Sequence, residues 1–321
     1  MPKDFAQNDW SPLLEMELKK LLELAVWEDT ETSGDLTSKT LIAKTVPCSA
    51  TVVTRENGIL AGSQAVPTVL AAVDRTLSWV PHCTDGDPLQ PGTAVGDIRG
   101  PVHSLLTAER LVLNLLGRLC GIATLTRRFV DAVDGTGAKI YDTRKTTLGW
   151  RRLEKYAVRC GGGNNHRIGL FDAVLIKDNH LAFGQESGGF APVEAVRKAK
   201  DYFDHRIKLA IGTANTVLDP NQQDISEESP PIIEIEVDTV DQLRSVLPAS
   251  PDIVLLDNMD APTLRQAVEI RNAINRNVEL EASGGINLST VRDIAESGVE
   301  RISVGAMTHS AIVLDLGLDW K

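Results

Sequence analysis

Aromatic side chains make up only 4% of the 321 residues, so any core must be built mainly from Leu, Val, Ile and Ala. Cysteine is scarce. Cys48, Cys83, Cys120 and Cys160 fall at no metal-binding or redox spacing and read as reduced thiols. No apolar run approaches the roughly 20 residues of a membrane span. The opening MPKDFAQNDW lacks the apolar core of a signal peptide, so a cytoplasmic location is expected. Basic residues are in deficit: the formal net charge is -11, which opposes a broad nucleic-acid surface. What remains, 42% hydrophobic and 24% charged residues, is ordinary for a soluble protein, and the length suits one large or two medium domains.

Against that acidic background one stretch is basic. Residues 142–180 hold eight Lys/Arg (Arg144, Lys145, Arg151, Arg152, Lys155, Arg159, Arg167, Lys177) against four acids (Asp142, Glu154, Asp172, Asp178). A local basic cluster in an acidic chain suggests a pocket for a small anion. Two apolar runs frame it, at 139–141 and 173–176, and each ends in charge: Asp142-Thr143-Arg144-Lys145 and Lys177-Asp178-Asn179-His180. Charge just past the C-terminal ends of buried parallel strands is where α/β barrels keep their chemistry.

Patterning divides the chain. Ser11-Pro12 starts a helix whose apolar face is Leu14, Leu18, Leu21, Leu22 and Ala25. Strands are predicted at 49–56, 77–80 and 93–98, with helices at 64–73 and 104–116, so the first third is α+β. From residue 138, strand-like runs at 138–141, 173–176, 232–237, 253–256, 278–282 and 301–304 alternate with helical stretches at 191–203, 239–247, 261–275 and 288–297. Such alternation argues a parallel sheet. Six units are too few for an eight-stranded barrel, so an incomplete barrel is expected, with a doubly wound sheet as the alternative. Residues 212–231, rich in Pro, Asn and Ser, read as a surface loop.

The later strands end in polar groups that burial does not require: Glu236, Asp257, Ser283-Gly284-Gly285 and Gly305. A strand-end acid often just caps the next helix, but four such ends together point to one mouth. The Ser-Gly-Gly turn, paired with Gly305, resembles the late-strand phosphate site of barrels. Arg144, Lys145, Arg167 and Lys177 suit a substrate with more than one carboxylate, because guanidinium groups grip carboxylates with paired hydrogen bonds. Glu236 and Asp257 would supply oxygens for Mg²⁺ or for sugar hydroxyls. Gly161-Gly162-Gly163 is read as the end of a helix around Tyr156.

Taken together these motifs resemble quinolinate phosphoribosyltransferase. The matching residues are Asp142-Thr143-Arg144-Lys145-Thr146, Glu154-Lys155-Tyr156-Ala157-Val158, Gly161-Gly162-Gly163, Asn165-His166-Arg167 and Lys177-Asp178-Asn179-His180. To these add Gly34-Asp35-Leu36-Thr37, Thr107-Ala108-Glu109-Arg110, Glu234-Ile235-Glu236-Val237, Leu256-Asp257-Asn258, Ser283-Gly284-Gly285 and Thr308-His309-Ser310. The resemblance covers nearly the whole chain. It implies an N-terminal α+β sandwich (1–120, with the tail 309–321 packed on it) followed by an open α/β barrel (121–308). The implied reaction is a step of NAD biosynthesis: quinolinate and phosphoribosyl pyrophosphate give nicotinate mononucleotide, pyrophosphate and CO₂, with Mg²⁺.

Carried over residue by residue, the quinolinate carboxylates would meet Arg110, Arg144, His166, Arg167 and Lys177. Lys145, with Thr143 in the same motif, would lie near the sugar phosphate and pyrophosphate. Glu236 and Asp257 would hold ribose hydroxyls and Mg²⁺, directly or through water. Ser283, Gly284, Gly285, Gly305 and His309 would hold the 5′-phosphate. Lys145, Lys177, Glu236 and Asp257 are the catalytic candidates, and either lysine is a candidate proton donor to the decarboxylated ring. A homodimer, or a hexamer built as a trimer of dimers, would supply Arg110 across the interface. Leu148 replaces the family's proline, and Asn164 and residues 212–231 also depart from its pattern. Three rivals are weaker. A nicotinate-using transferase needs fewer basic groups, a Schiff-base aldolase through Lys177 leaves the glycine turns and acid pair unexplained, and a nucleic-acid binder conflicts with the charge.

Overall fold

The computed structural model describes residues 4–43, 46–184, 189–213 and 230–321, so most of the expected loop at 212–231 lies outside the described residues. In chain order the strands are β1 (Pro47–Thr54), β2 (Gly58–Ile59), β3 (Ser78–Pro81), β4 (Pro88–Leu89), β5 (Ala94–Pro101), β6 (Lys139–Tyr141), β7 (Ala173–Ile176), β8 (Ile232–Val237), β9 (Ile253–Asp257), β10 (Glu279–Ser283), β11 (Arg301–Ser303) and β12 (Leu316–Trp320). They fall into two compact units, residues 7–132 with 142–165 and 305–321, and residues 1–6 with 133–141 and 166–304. Compactness thus interleaves the chain and groups 305–321 with 7–132, where boundaries at 120/121 and 308/309 were expected. Residue 120 lies inside one helix, Val102–Ala132.

The first unit holds an antiparallel sheet ordered β12-β1-β5-β3. Pro12–Thr30 forms as read: Ser11 caps it by accepting the Leu14 N–H at 3.3 Å, and Leu14, Leu18 and Leu22 are buried. The Val102–Ala132 helix is more than twice the expected 104–116. Gly117 and Gly121 suggest a break, but the structure uses them for close packing inside a continuous helix. A Cβ on Gly121 would stand 2.0 Å from the Ile312 carbonyl oxygen, and one on Gly117 would stand 2.9 Å from that of Leu314. In an unobstructed helix Gly→Ala gains about 0.5–1 kcal/mol. Overpacking costs about 1–3 kcal/mol, and here backbone rather than a flexible tip is hit, so the cost wins. Gly121→Ala should therefore lower stability by about 1–2 kcal/mol net, read as a lower urea midpoint; a raised midpoint would refute the close-approach reading.

Two of the four thiols are held inert by desolvation. Cys120 and Cys160 are both pushed up to about 12 by desolvation, so neither carries thiolate at neutral pH. Among the described residues no helix is long and apolar enough to cross a membrane.

The second unit holds a six-stranded sheet ordered β6-β11-β10-β9-β8-β7. All its pairings are parallel. From β7 to β11 each strand pairs with its successor, and β6 pairs with β11 rather than with β7. This is the cyclic order of a barrel whose seam is open between β6 and β7, not the order of a doubly wound sheet. All six predicted strands begin and end within one residue of the observed bounds, and 173–176 and 232–237 match at both ends. The reason is physical: strands buried on both faces read as short continuous apolar runs.

Candidate active site

Alternation along the barrel strands puts Lys177, Glu236, Asp257 and Ser283 on one face of the sheet, each at a strand's C-terminal end. Lys177 and Glu236 form an ion pair, with side chains 40% and 13% exposed, and the Lys177 N–H donates to His180 Nδ1 at 2.9 Å. Asp257 and Ser283 are cross-strand partners. After them the backbone turns tightly: Asn258 has φ 53°, Gly284 φ 93° and Gly285 φ 62°. The Asn258 N–H bonds to the Ser283 carbonyl at 2.9 Å and its side-chain amide to Asp257 Oδ2 at 2.7 Å. A Cβ on Gly284 would sit 2.2 Å from Asn258 Oδ1, so only glycine fits there. Asn258 therefore shapes the turn, a role its motif match alone did not reveal.

The other unit gathers a second group. A Cβ on Gly305 would meet Lys145 Cδ at 3.1 Å and His309 Nε2 at 3.3 Å. The Thr308 hydroxyl donates to the Lys145 carbonyl at 2.7 Å, fixing the backbone that presents the exposed Lys145 side chain. Thr143 Oγ1 accepts the Lys145 N–H at 3.1 Å. Beside them Arg144 is half-buried, its Nε is buried without a hydrogen-bond partner, and no ion pair reaches it among the described residues. Arg110 is exposed on the Val102–Ala132 helix and likewise has no ion pair among the described residues.

The basic cluster read at 142–180 separates into two classes. Arg152 pairs with Glu17 at 2.9 Å, Arg159 with Asp9 at 3.6 Å, and Lys155 with Asp142, both fully buried. Arg151 donates to the Thr146 hydroxyl at 3.1 Å. Asn165 bridges the buried pair, donating to Asp142 Oδ2 at 2.7 Å and to the Lys155 carbonyl at 2.9 Å. These charges build the scaffold under the Asp142-Thr143-Arg144-Lys145 turn. Gly161 caps the Arg151–Cys160 helix as expected, with its N–H bonded to the Ala157 carbonyl.

Deeper along the barrel strands His166, expected to meet a quinolinate carboxylate, lies with two acids to which the sequence reading gave no role. His166 Nε2 stands 2.9 Å from Glu234 Oε2 and 3.5 Å from Glu281 Oε1, and all three residues are buried. His166 Nδ1 accepts the Arg167 N–H at 2.8 Å, which places the ring proton on Nε2. Burial, and then the Glu234 charge, push the Glu281 carboxyl well above the ordinary carboxylate range. The three donor atoms lie close enough to hold a metal ion. Arg301, however, donates to Glu281 Oε2 at 3.2 Å, and a guanidinium there opposes a second cation. Glu236 and Asp257 suit a hard cation better. Both offer carboxylate oxygens at partly open strand ends, and Mg²⁺ binds few carboxylates while keeping several waters.

Comparison with known proteins decides the family. The model of the quinolinate phosphoribosyl transferase C-terminal domain matches residues 122–217 and 209–319, and that of the N-terminal domain matches 35–120. A probable carboxylating nicotinate-nucleotide pyrophosphorylase of Bacillus subtilis is 39% identical over 304 residues, covering 95% of this chain and 93% of the relative. The carboxylating enzyme of Mycobacterium leprae is 37% identical, covering 92% and 94%. The solved nicotinate-nucleotide pyrophosphorylase of Francisella tularensis superposes with a TM-score of 0.82 at 34% identity, over 99% of this chain and 100% of that one. The chain belongs to the quinolinate phosphoribosyltransferase family.

Membership makes it a phosphoribosyl-transferring enzyme with an N-terminal unit built on an antiparallel sheet and a parallel α/β barrel. Within that family fold, the quinolinate phosphoribosyltransferase motifs fall where chemistry is possible. Lys177, Glu236, Asp257 and Ser283-Gly284-Gly285 crowd the strand ends, and Lys145, Gly305 and His309 meet around one turn.

Proposed function

We propose that this chain transfers the phosphoribosyl group of phosphoribosyl pyrophosphate to quinolinate, with loss of CO₂, giving nicotinate mononucleotide and pyrophosphate. The observation that carries it is the succession of Lys177, Glu236, Asp257 and the Ser283–Gly285 turn along one face of a parallel sheet, in a chain of this family. The quinolinate ring nitrogen attacks C1 of the ribose as pyrophosphate leaves, so no protein nucleophile is required. Carboxylates near the sugar tolerate its developing positive charge, and basic groups tolerate the leaving charge. Lys177 exchanges Glu236 for a substrate carboxylate, which frees Glu236 for a ribose hydroxyl. Arg144 and Arg167 take carboxylate charge, and Lys145, Gly305 and His309 face phosphate. Mg²⁺, held by Glu236 and Asp257 directly or through water, would neutralise pyrophosphate charge. N-ribosylation makes the ring an electron sink, so the C2 carboxylate leaves as CO₂ and the ring carbon takes a proton from Lys145 or Lys177. A dimer, possessing Arg110 in trans, and a cytoplasmic setting complete the reading.

The experiment is CO₂ release by the purified chain with phosphoribosyl pyrophosphate, Mg²⁺ and either quinolinate or nicotinate. Release with quinolinate and no turnover of nicotinate is expected; a chain that binds quinolinate yet releases no CO₂ refutes the proposal. Arg144→Ala and Arg167→Ala should each weaken quinolinate binding by about 1.5–3 kcal/mol, the range for hydrogen bonds to charged groups. Calorimetry giving wild-type affinity in both variants removes these arginines from the site.

A further inference from the structure

The catalytic motifs leave one largely buried charge on the long helix without a role. Arg118 projects from the middle of Val102–Ala132, its side chain 22% exposed, against Glu154, whose side chain is fully buried. Arg118 Nε and one terminal nitrogen both donate to Glu154 Oε1, at 3.1 and 2.6 Å. The same guanidinium donates to the carbonyls of Thr308 and Ala311, the latter at 3.3 Å. Those two carbonyls bracket His309, at the end of the short Ala306–His309 helix.

Glu154 reaches the other way. Its Oε2 accepts the Thr147 N–H at 3.2 Å and its Oε1 the Thr147 hydroxyl at 2.8 Å, just past Lys145 in the chain. The Thr308 hydroxyl, donating to the Lys145 carbonyl at 2.7 Å, closes the circuit. It runs from Lys145 through Thr308, Arg118, Glu154 and Thr147, then back along the backbone, all within the first unit. A buried ion pair is a weak source of net stability, because desolvation offsets much of the attraction. What the guanidinium adds is geometry: its planar fork holds a carboxylate and two carbonyls at fixed angles at once. The turns so held carry Lys145 and His309, whose side chains meet beside Gly305. Lys145 has a long, exposed side chain, so its backbone is the part that can be fixed from behind.

We propose that Arg118 is a positioning residue for the phosphate end of the site: through Glu154 and the 308–311 carbonyls it sets the spacing between the Lys145 turn and the His309 turn. It acts through these turns and not by touching substrate. The proposal rests on the phosphoribosyl-transfer reading given above.

The test uses Arg118→Lys, which keeps the charge that Glu154 needs but loses the fork, and Thr308→Val, which keeps the shape but opens the circuit at the Lys145 carbonyl. Each should weaken phosphoribosyl pyrophosphate binding, read by calorimetry with Mg²⁺, by about tenfold, the weight of one hydrogen bond to a charged group. Quinolinate binding should change less. With both substitutions the loss should be smaller than the product of the two, because residues of one network are coupled. Wild-type phosphoribosyl pyrophosphate affinity in both folded variants overturns the proposal. So does equal weakening for both substrates, the mark of a general loss of packing, or independent losses in the double variant. If Arg118→Lys does not fold, Thr147→Val, which opens the circuit at Glu154, takes its place under the same criteria. Wild-type protein that binds no phosphoribosyl pyrophosphate refutes the functional reading, and the proposal with it; a wild type that binds it no better than the variants refutes the proposal alone.

Discussion

Lys155→Met is expected to destabilise the protein by about 3–5 kcal/mol, the cost of leaving one partner of a buried ion pair uncompensated. Lys155 and Asp142 both have fully buried side chains, so no water can replace the lost ammonium. Asn165 also donates to Asp142, but a neutral amide supplies no opposing charge. Domain stabilities are about 5–15 kcal/mol, so the variant spends a large share of the total. It should also lose activity, because the Asp142 backbone leads directly into Thr143, Arg144 and Lys145. Lys155→Met combined with Asp142→Leu removes both charges and should recover more than half of the loss. Urea unfolding of the three proteins measures this; a single-variant loss below about 1 kcal/mol would mean that the pair is not buried in solution.

Arg110→Ala and Lys177→Ala should each be nearly inactive alone, and mixing them should restore activity. Arg110 is exposed with no ion pair among the described residues, and Lys177 stands at a barrel strand end. If a dimer shares its sites, a mixed dimer has one barrel that keeps Lys177 and receives Arg110 from its partner, while the other barrel lacks both. Random reassociation of equal amounts makes about half the dimers mixed, each with one working site of two, so about a quarter of wild-type activity should return. Subunits shown to exchange without any recovery would place Arg110 outside the partner's site.

How much of this was legible depended on which force shaped each residue. The barrel strands were readable because double burial leaves an apolar run, and Ser11-Pro12 because capping chemistry is local. The full Val102–Ala132 helix was not, because Gly117 and Gly121 answer to the distant backbone at 312–314 and not to helix propensity. Lys155 looked like an anion-binding charge, since its partner Asp142 is a neighbour only in the fold. Glu234 and Glu236 sit two residues apart on one strand and carry the same signal, yet one is buried beside His166 and the other pairs with Lys177.

The pairing of β1 with β12 has a consequence for synthesis. β1 ends at Thr54 and its outer partner begins at Leu316, a gap of 262 positions (316 − 54). At about 5–20 residues per second, translation alone takes roughly 13–50 s to cover that gap. Through that interval the nascent chain carries one edge of β1 without its ladder, the kind of edge that recruits foreign strands. The barrel waits as well, because β6 needs β11. Neither sheet can be completed while the ribosome is still reading its middle, so the hazardous period of this chain's life is set by elongation rate, and rare-codon slowing between the two strands should increase aggregation even though it changes no residue.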